Sequence, residues 1–256
     1  MKNLIALFIA ISFMFSASLA QAEVVSFGDT VKYWDGFRNY TKDDKLDVIG
    51  NPDITGGNFI FSGHVLTGIS LNYTTTDKLL IPGDWFFDVD QDNNWDYVLH
   101  NNIPSYKEVG PYDSSNSYSL YSVDFDFAID SPLASWRKSS PYDESFAGWY
   151  GYREDHPVQA NVDNSKYDFT LLQTISFTGW EYTGTGPYTS TWSGFGIDLT
   201  EFLGQEFTYG FAMTCANDVL FGSAPIPSPE PSTWILFGSG LGMLMLARRK
   251  RNDNTK

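Results

Sequence analysis

Nine residues, Asp88 to Asp96, place a carboxylate or amide oxygen at every second position. Hard divalent cations take oxygen ligands, and calcium loops draw them from positions one, three, five and nine. Asp88, Asp90, Asp92 and Asp96 occupy those positions, so calcium is the cofactor this spacing suggests. The pattern departs from a full calcium loop at two places. Position six, where such loops turn on glycine, is Asn93, and position twelve, where glutamate closes the shell, is Leu99. A plain β-hairpin accounts for the same residues: "DWFFDV" and "WDYVL" pair across an Asp/Asn-rich turn, with Asp88 and Asp90 on its solvent face.

Other reactive residues form no local constellation. His64, His100 and His156 are far apart in sequence, and His64 sits in "SGH", which reads as a hairpin turn. The run Gly151–Val158, "GYREDHPV", concentrates charge as a surface loop does. There is no Gly-x-Ser-x-Gly, no phosphate loop and no His-Glu-x-x-His, so no catalytic residue is assigned. Large aromatics cluster in two places: Trp136, Trp149, Tyr150 and Tyr152, and then Trp180, Tyr182, Tyr188 and Trp192 around "GTGP". Exposed on loops, Trp149 and Trp192 would stack on sugar rings; packed inside, they would fill the ends of a sheet structure.

The elements that must hold these residues are strands. Aromatics make up 17% of the chain, and no helix-period run of useful length occurs between Glu23 and Ala224. Alternation is plain in "VLTGISLNY" (Val65, Thr67, Ile69, Leu71 and Tyr73 on one face) and in "DWFFDV" (Trp85, Phe87 and Val89). It recurs in "SLYSVDFDFAI" (Tyr121, Val123, Phe125), "TLLQTISFTGW" (Leu171, Gln173, Ile175, Phe177) and "EFTYGFAMTC" (Phe207, Tyr209, Phe211, Met213, Cys215). Turn clusters such as "GNPDITGGN", "IPGD" and "QDNN" separate them. Many short strands so punctuated predict one all-β domain, an antiparallel β-sandwich for which a jelly roll is one candidate topology. Asn101–Asn116 and Pro132–Asn164 read as long loops. Cys215 is the only cysteine, so no intrachain disulfide can form and packing must hold the fold.

The two ends differ from the domain. Lys2, the apolar Leu4–Phe15 and Ala20-Gln21-Ala22 have the order of a secretory signal peptide, residues 1–22, cut after Ala22 by a signal peptidase. Six of the 16 basic and two of the 31 acidic residues lie in the two ends, which leaves residues 23–224 with ten against 29, net −19. Such a surface repels nucleic acid and anionic lipid, so no nucleic-acid partner is expected. Residues 225–256 run from a proline-rich strip into the apolar segment Trp234–Ala247 and then Arg248-Arg249-Lys250-Arg251. Counted from Pro231, the 17-residue run would make a helix of about 25 Å, against a hydrocarbon core of ~30 Å. Gly238, Gly240 and Gly242 weaken it, so the expectation is a short transmembrane helix, undersized as a permanent span.

Pro229-Glu230-Pro231-Ser232-Thr233-Trp234, the glycine-bearing span and the basic block, in that order, strongly resemble the PEP-CTERM sorting signal of Gram-negative bacteria. The resemblance covers about 30 residues. It implies recognition by an exosortase, with Pro229, Glu230, Pro231 and Ser232 as the sorting motif. It further implies transient residence in the inner membrane, then delivery to the cell surface or an exopolysaccharide matrix. "TYGFAMTCANDVLFG" also looks like the end of domains found ahead of such signals. The expected role is non-enzymatic, structural or adhesive; a carbohydrate-binding module and a secreted hydrolase are the alternatives.

Overall fold

The computed structural model of the chain describes residues 22–29, 53–75, 82–102, 117–126, 159–163, 167–178, 186–213 and 218–228, with isolated helical positions between 238 and 244. Ten strands form: β1 (Ala22–Phe27), β2 (Asp53–Ser62), β3 (Val65–Thr75), β4 (Pro82–Asp88), β5 (Asn94–Asn101), β6 (Ser117–Asp126), β7 (Thr170–Thr178), β8 (Gly186–Asp198), β9 (Glu206–Met213) and β10 (Val219–Pro225). Every pairing is antiparallel, in the order β1-β2-β3-β8-β7-β6-β5-β4-β9-β10. Strand β7 makes the corner. Thr170–Ser176 pair with β6, and only Phe177 and Thr178 pair with β8. One sheet is therefore β1-β2-β3-β8 and the other β10-β9-β4-β5-β6-β7, packed as a β-sandwich. All-β and antiparallel, the domain matches its sequence pattern.

The sheets meet along an aromatic seam. Phe59 of β2 packs on Phe207 and Tyr209 of β9, with ring centroids 5.0 and 4.9 Å apart. Trp85 of β4 meets Trp192 of β8 edge-on at 5.6 Å and stacks on Phe211 at 4.5 Å. Phe27 reaches across from β1 to Phe59, Trp85 and Tyr209. Such pairs contribute about 0.5–1.5 kcal/mol each beyond the area they bury. The expected face of β9 is the observed one: Phe207, Tyr209, Phe211 and Met213 all line the core.

Elsewhere the expected phase is altered, and β-bulges are the physical reason. The register slips between Ile60 and Phe61 and between Leu66 and Gly68, so Leu66 turns inward with Ile69, Leu71 and Tyr73 while Val65 and Thr67 face outward. In β6 the sandwich core takes Tyr118 and Leu120. Tyr121 and Phe125 instead pack against Phe169 and Tyr167. In β7, Ile175 and Phe177 are core, but Leu171 is 55% exposed, because among the described residues β8 pairs only with the far end of the strand, at Phe177 and Thr178. The cluster "GNPDITGGN", read as a turn, supplies the first half of β2. Its glycines are needed there: a Cβ on Gly57 would lie 2.0 Å from the Ser70 carbonyl oxygen.

His64 sits in the β2–β3 hairpin turn as expected, next to Gly63 at φ 64°. No helix among the described residues is long and apolar enough to cross a membrane. Gly238, Gly240, Leu241, Gly242 and Leu244 are helical; the remainder of the tail span, the signal segment before Ala22 and most of the two long loops lie outside the described residues.

Urea unfolding should separate seam from edge. Phe59→Ala is expected to cost ~3–5 kcal/mol, and Leu171→Ala less than ~0.5 kcal/mol. Equal costs would refute this placement of the core.

Candidate cation site and a buried carboxylate hub

Strands β4 and β5 are one hairpin, with Trp85 opposite Leu99 and Phe87 opposite Tyr97. Its turn is knitted by its own carboxylates. Asp88 accepts from the Gln91 amide through Oδ1 at 2.7 Å and from the Asn93 amide through Oδ2 at 3.3 Å. The Asp92 amide donates to Asp90 Oδ1 at 3.1 Å, the Asn94 amide to Asp92 Oδ1 at 2.7 Å, and the Val89 amide to Asp96 Oδ2 at 2.7 Å. Gln91 and Asn93 adopt left-handed φ values of 61° and 72°. Asn93 thus does the bending that glycine does at position six of a calcium loop, because asparagine tolerates that region.

Three of the four expected ligands converge. Oxygens of Asp88, Asp90 and Asp96 lie within 4.8 Å of one another. Asp92 points elsewhere, holding the amide and the side-chain nitrogen of Asn94. Leu99, at position twelve, is fully buried in the core and offers no oxygen. The donor set suits a small hard cation, with two places in the loop pattern unfilled. Of the two carboxylates expected on the solvent face, Asp90 is exposed and Asp88 is buried. The backbone amides of the turn draw Asp88 inward.

Burial has an electrostatic consequence. Desolvation pushes the Asp88 carboxyl from its ordinary 3.8 up to about 6, opposed by the Gln91 and Asn93 amides and reinforced by Asp90 and Asp92. Desolvation likewise raises Asp96 to about 6, opposed by the Val89 amide and reinforced by Asp90, Asp88 and Asp92. Tyr97 beside them is raised by burial, Asp96 and Asp198.

A second polar cluster was invisible in the sequence. Asp84, on the outer face of β4, is fully buried. Its Oδ2 accepts from His100 Nδ1 at 2.8 Å and from the Ala160 amide at 2.7 Å; Oδ1 accepts from the Asn101 amide at 2.8 Å. Gln159 Nε2 donates to the Asn101 carbonyl at 2.7 Å. A histidine–carboxylate pair is one requirement of hydrolase chemistry. Here, however, Asp84 uses both oxygens on backbone amides and lies sealed beneath Ala160. The cluster pins Gln159 and Ala160 onto the outer face of the sheet. An alternating pattern with Asp84 on the polar side predicts a solvated carboxylate; only the segment folded over it makes a hub.

The remaining candidates separate. His64 and His100 stand at opposite ends of the sandwich, so they do not join in a metal site. His156, Cys215, Trp149 and the Pro229–Ser232 motif lie outside the described residues. Trp192 is fully buried against Trp85, Tyr118, Phe177 and Phe211 and presents no face to a sugar. Its neighbour "GTGP" leads directly into β8, which carries Trp192 into the seam. The chain matches no family model, no curated protein and no solved structure.

The raised carboxyls fix the sign of a pH effect. Both bind protons more readily folded than unfolded, so their stabilisation is full in acid and is lost as pH rises from about 4 through about 6. In chelator, Asp96→Asn should flatten this part of the Tm-versus-pH curve and raise Tm at pH 7.5 by roughly 2–4 °C. An unchanged curve would contradict the burial of these groups.

Proposed function

We propose that this chain is an exported cell-surface or exopolysaccharide-matrix protein, sorted and processed through its C-terminal tail, with a structural or adhesive role and no catalysis of its own. The observation that carries this reading is where the packed domain stops. Strand β10 ends at Pro225; the Ile226 amide donates to the Gln205 carbonyl at 2.8 Å, and Ile226 and Pro227 are the last buried residues among those described. Ser228 is exposed, and Pro229-Glu230-Pro231 follows at once. The motif therefore begins two residues after the core closes. A processing enzyme in the membrane can reach it without unfolding the domain, and removing the tail takes no core residue away.

The test is the mature C-terminus. Mass spectrometry should find the chain ending within or near Pro229–Ser232 in cells that hold the processing enzyme, and extending to Lys256 in cells that lack it. Replacing Pro229, Glu230 and Pro231 by alanine should leave the full-length chain in the inner membrane. Normal release of that variant would overturn the sorting role.

Calcium in the β4–β5 hairpin belongs to the same reading, since an exported protein meets free calcium. Asp88, Asp90 and Asp96 would hold the ion, which would relieve the mutual repulsion that helps to raise the Asp88 and Asp96 carboxyls. Millimolar calcium should raise the Tm of chelator-treated protein by several degrees, and Asp90→Asn should abolish the rise. Identical melting curves with calcium and with chelator would refute the site.

A further inference from the structure

The two processing junctions leave the folded domain at one and the same end. Ala22, the last signal-peptide residue, opens β1 opposite Ser62, beside the β2–β3 hairpin turn. Pro225 closes β10 opposite Glu206, and Ile226 is held by Gln205. The short link from Asp198 to Glu206, with a 3-10 turn at Thr200–Phe202, joins these two places. The Leu199 amide donates to the His64 carbonyl and ties the link to the hairpin at 3.1 Å. Asp88 pairs with Thr208, which puts the acidic β4–β5 turn at this end as well. The opposite end holds Asp29, Asp53 and Asp218, whose carboxylates gather there.

We infer that the end formed by Ser62–Val65, Asp88–Asn94, Asp198–Glu206 and Ile226 faces the lipid surface while the tail is attached, and that the Asp29–Asp53–Asp218 end is displayed away from it. The inference rests on the tail being the membrane segment proposed above. Chain length then decides the orientation. Six residues, 228–233, separate the buried Pro227 from Trp234 at the start of the apolar run. Fully extended, that link spans about 25 Å. Strand β8, with 13 residues, runs about 43 Å from end to end. A link that leaves one end cannot pass around the sandwich and let the other end rest on the bilayer. The signal segment is as short, with six residues between Phe15 and Ala22, and exits from the same end. The orientation sets the acidic turn between the body of the domain and the membrane. Among the described residues this end carries Glu23, Asp88, Asp90, Asp92, Asp96, Asp126, Asp198, Glu201 and Glu206.

The full chain, with Cys215→Ser, is reconstituted into phosphatidylethanolamine–phosphatidylglycerol vesicles and labelled with a fluorophore at Ser62→Cys, Glu201→Cys or Thr74→Cys. All three sites are exposed, and Thr74 lies nine residues along β3 from Val65, the partner of Ser62, or about 30 Å. Spin-labelled headgroup lipid should quench the labels at 62 and 201 at least several-fold more than the label at 74. Equal or reversed quenching in vesicles that float with the protein overturns the orientation and leaves the membrane tail standing. Failure of the full chain to float with the vesicles overturns the tail reading, and the orientation with it.

Discussion

The contact between Phe59, Phe207 and Tyr209, extended by Trp85, Trp192 and Phe211, is the interaction on which the rest of the molecule depends. A chain with one cysteine has no disulfide to hold two sheets together. Among the described residues, the two sheets are hydrogen-bonded to each other at β7, where two residue pairs carry the connection to β8. Cohesion between them must therefore come from side chains that span the gap. Large rings do this with little loss of rotamer freedom, and each buries 150–250 Å² or so. A seam built of aromatics also explains why a protein so rich in exposed carboxylates can stay folded. Its favourable term is short-range and apolar, and the surface charge works against it only weakly through solvent.

The seam fixes what the outer faces can become. Once Trp85 and Phe87 point inward from β4, Asp84, Phe86 and Asp88 must point the other way. All three are nevertheless buried. Phe86 packs on Trp95, which in turn meets Phe221. Asp84 is enclosed by the backbone of Asn101 and Ala160, and Asp88 by the turn it closes. Sheet β10-β9-β4-β5-β6-β7 is thus covered on both faces near its centre, an arrangement more usual for parallel sheets. The cost of burying Asp84 is offset by three hydrogen bonds, with His100, Asn101 and Ala160. At Asp88 and Asp96 desolvation outweighs the amides that hold them and raises both carboxyls.

Polarity along the strands carries its own meaning. Ala22, Pro225 and the acidic β4–β5 turn belong to one end, and the Asp29–Asp53–Asp218 group to the other. Because β1 and β10 are the two outermost strands in the sheet order, both chain exits lie at sheet margins. Neither exit passes through a central strand.

Several properties were legible from residues alone. The strand nature of the chain was one, because period-two alternation survives whatever the strands pair with. The inward series of β9 and the His64 turn were others, because each is decided within a few residues. Other features needed the tertiary structure. Bulges at Phe61 and Leu66 reverse a face, and a bulge depends on the partner strand's register. Whether Leu171 is core or edge depends on where β8 parts from β7. Whether Trp192 meets a sugar or the seam depends on which strand continues past "GTGP". Asp84 became a hub only when Gln159 and Ala160, 75 and 76 residues away in sequence, closed over it. Sequence determines what is set by neighbours along the chain; burial is set by neighbours in space, and those exist only after the sheets have met.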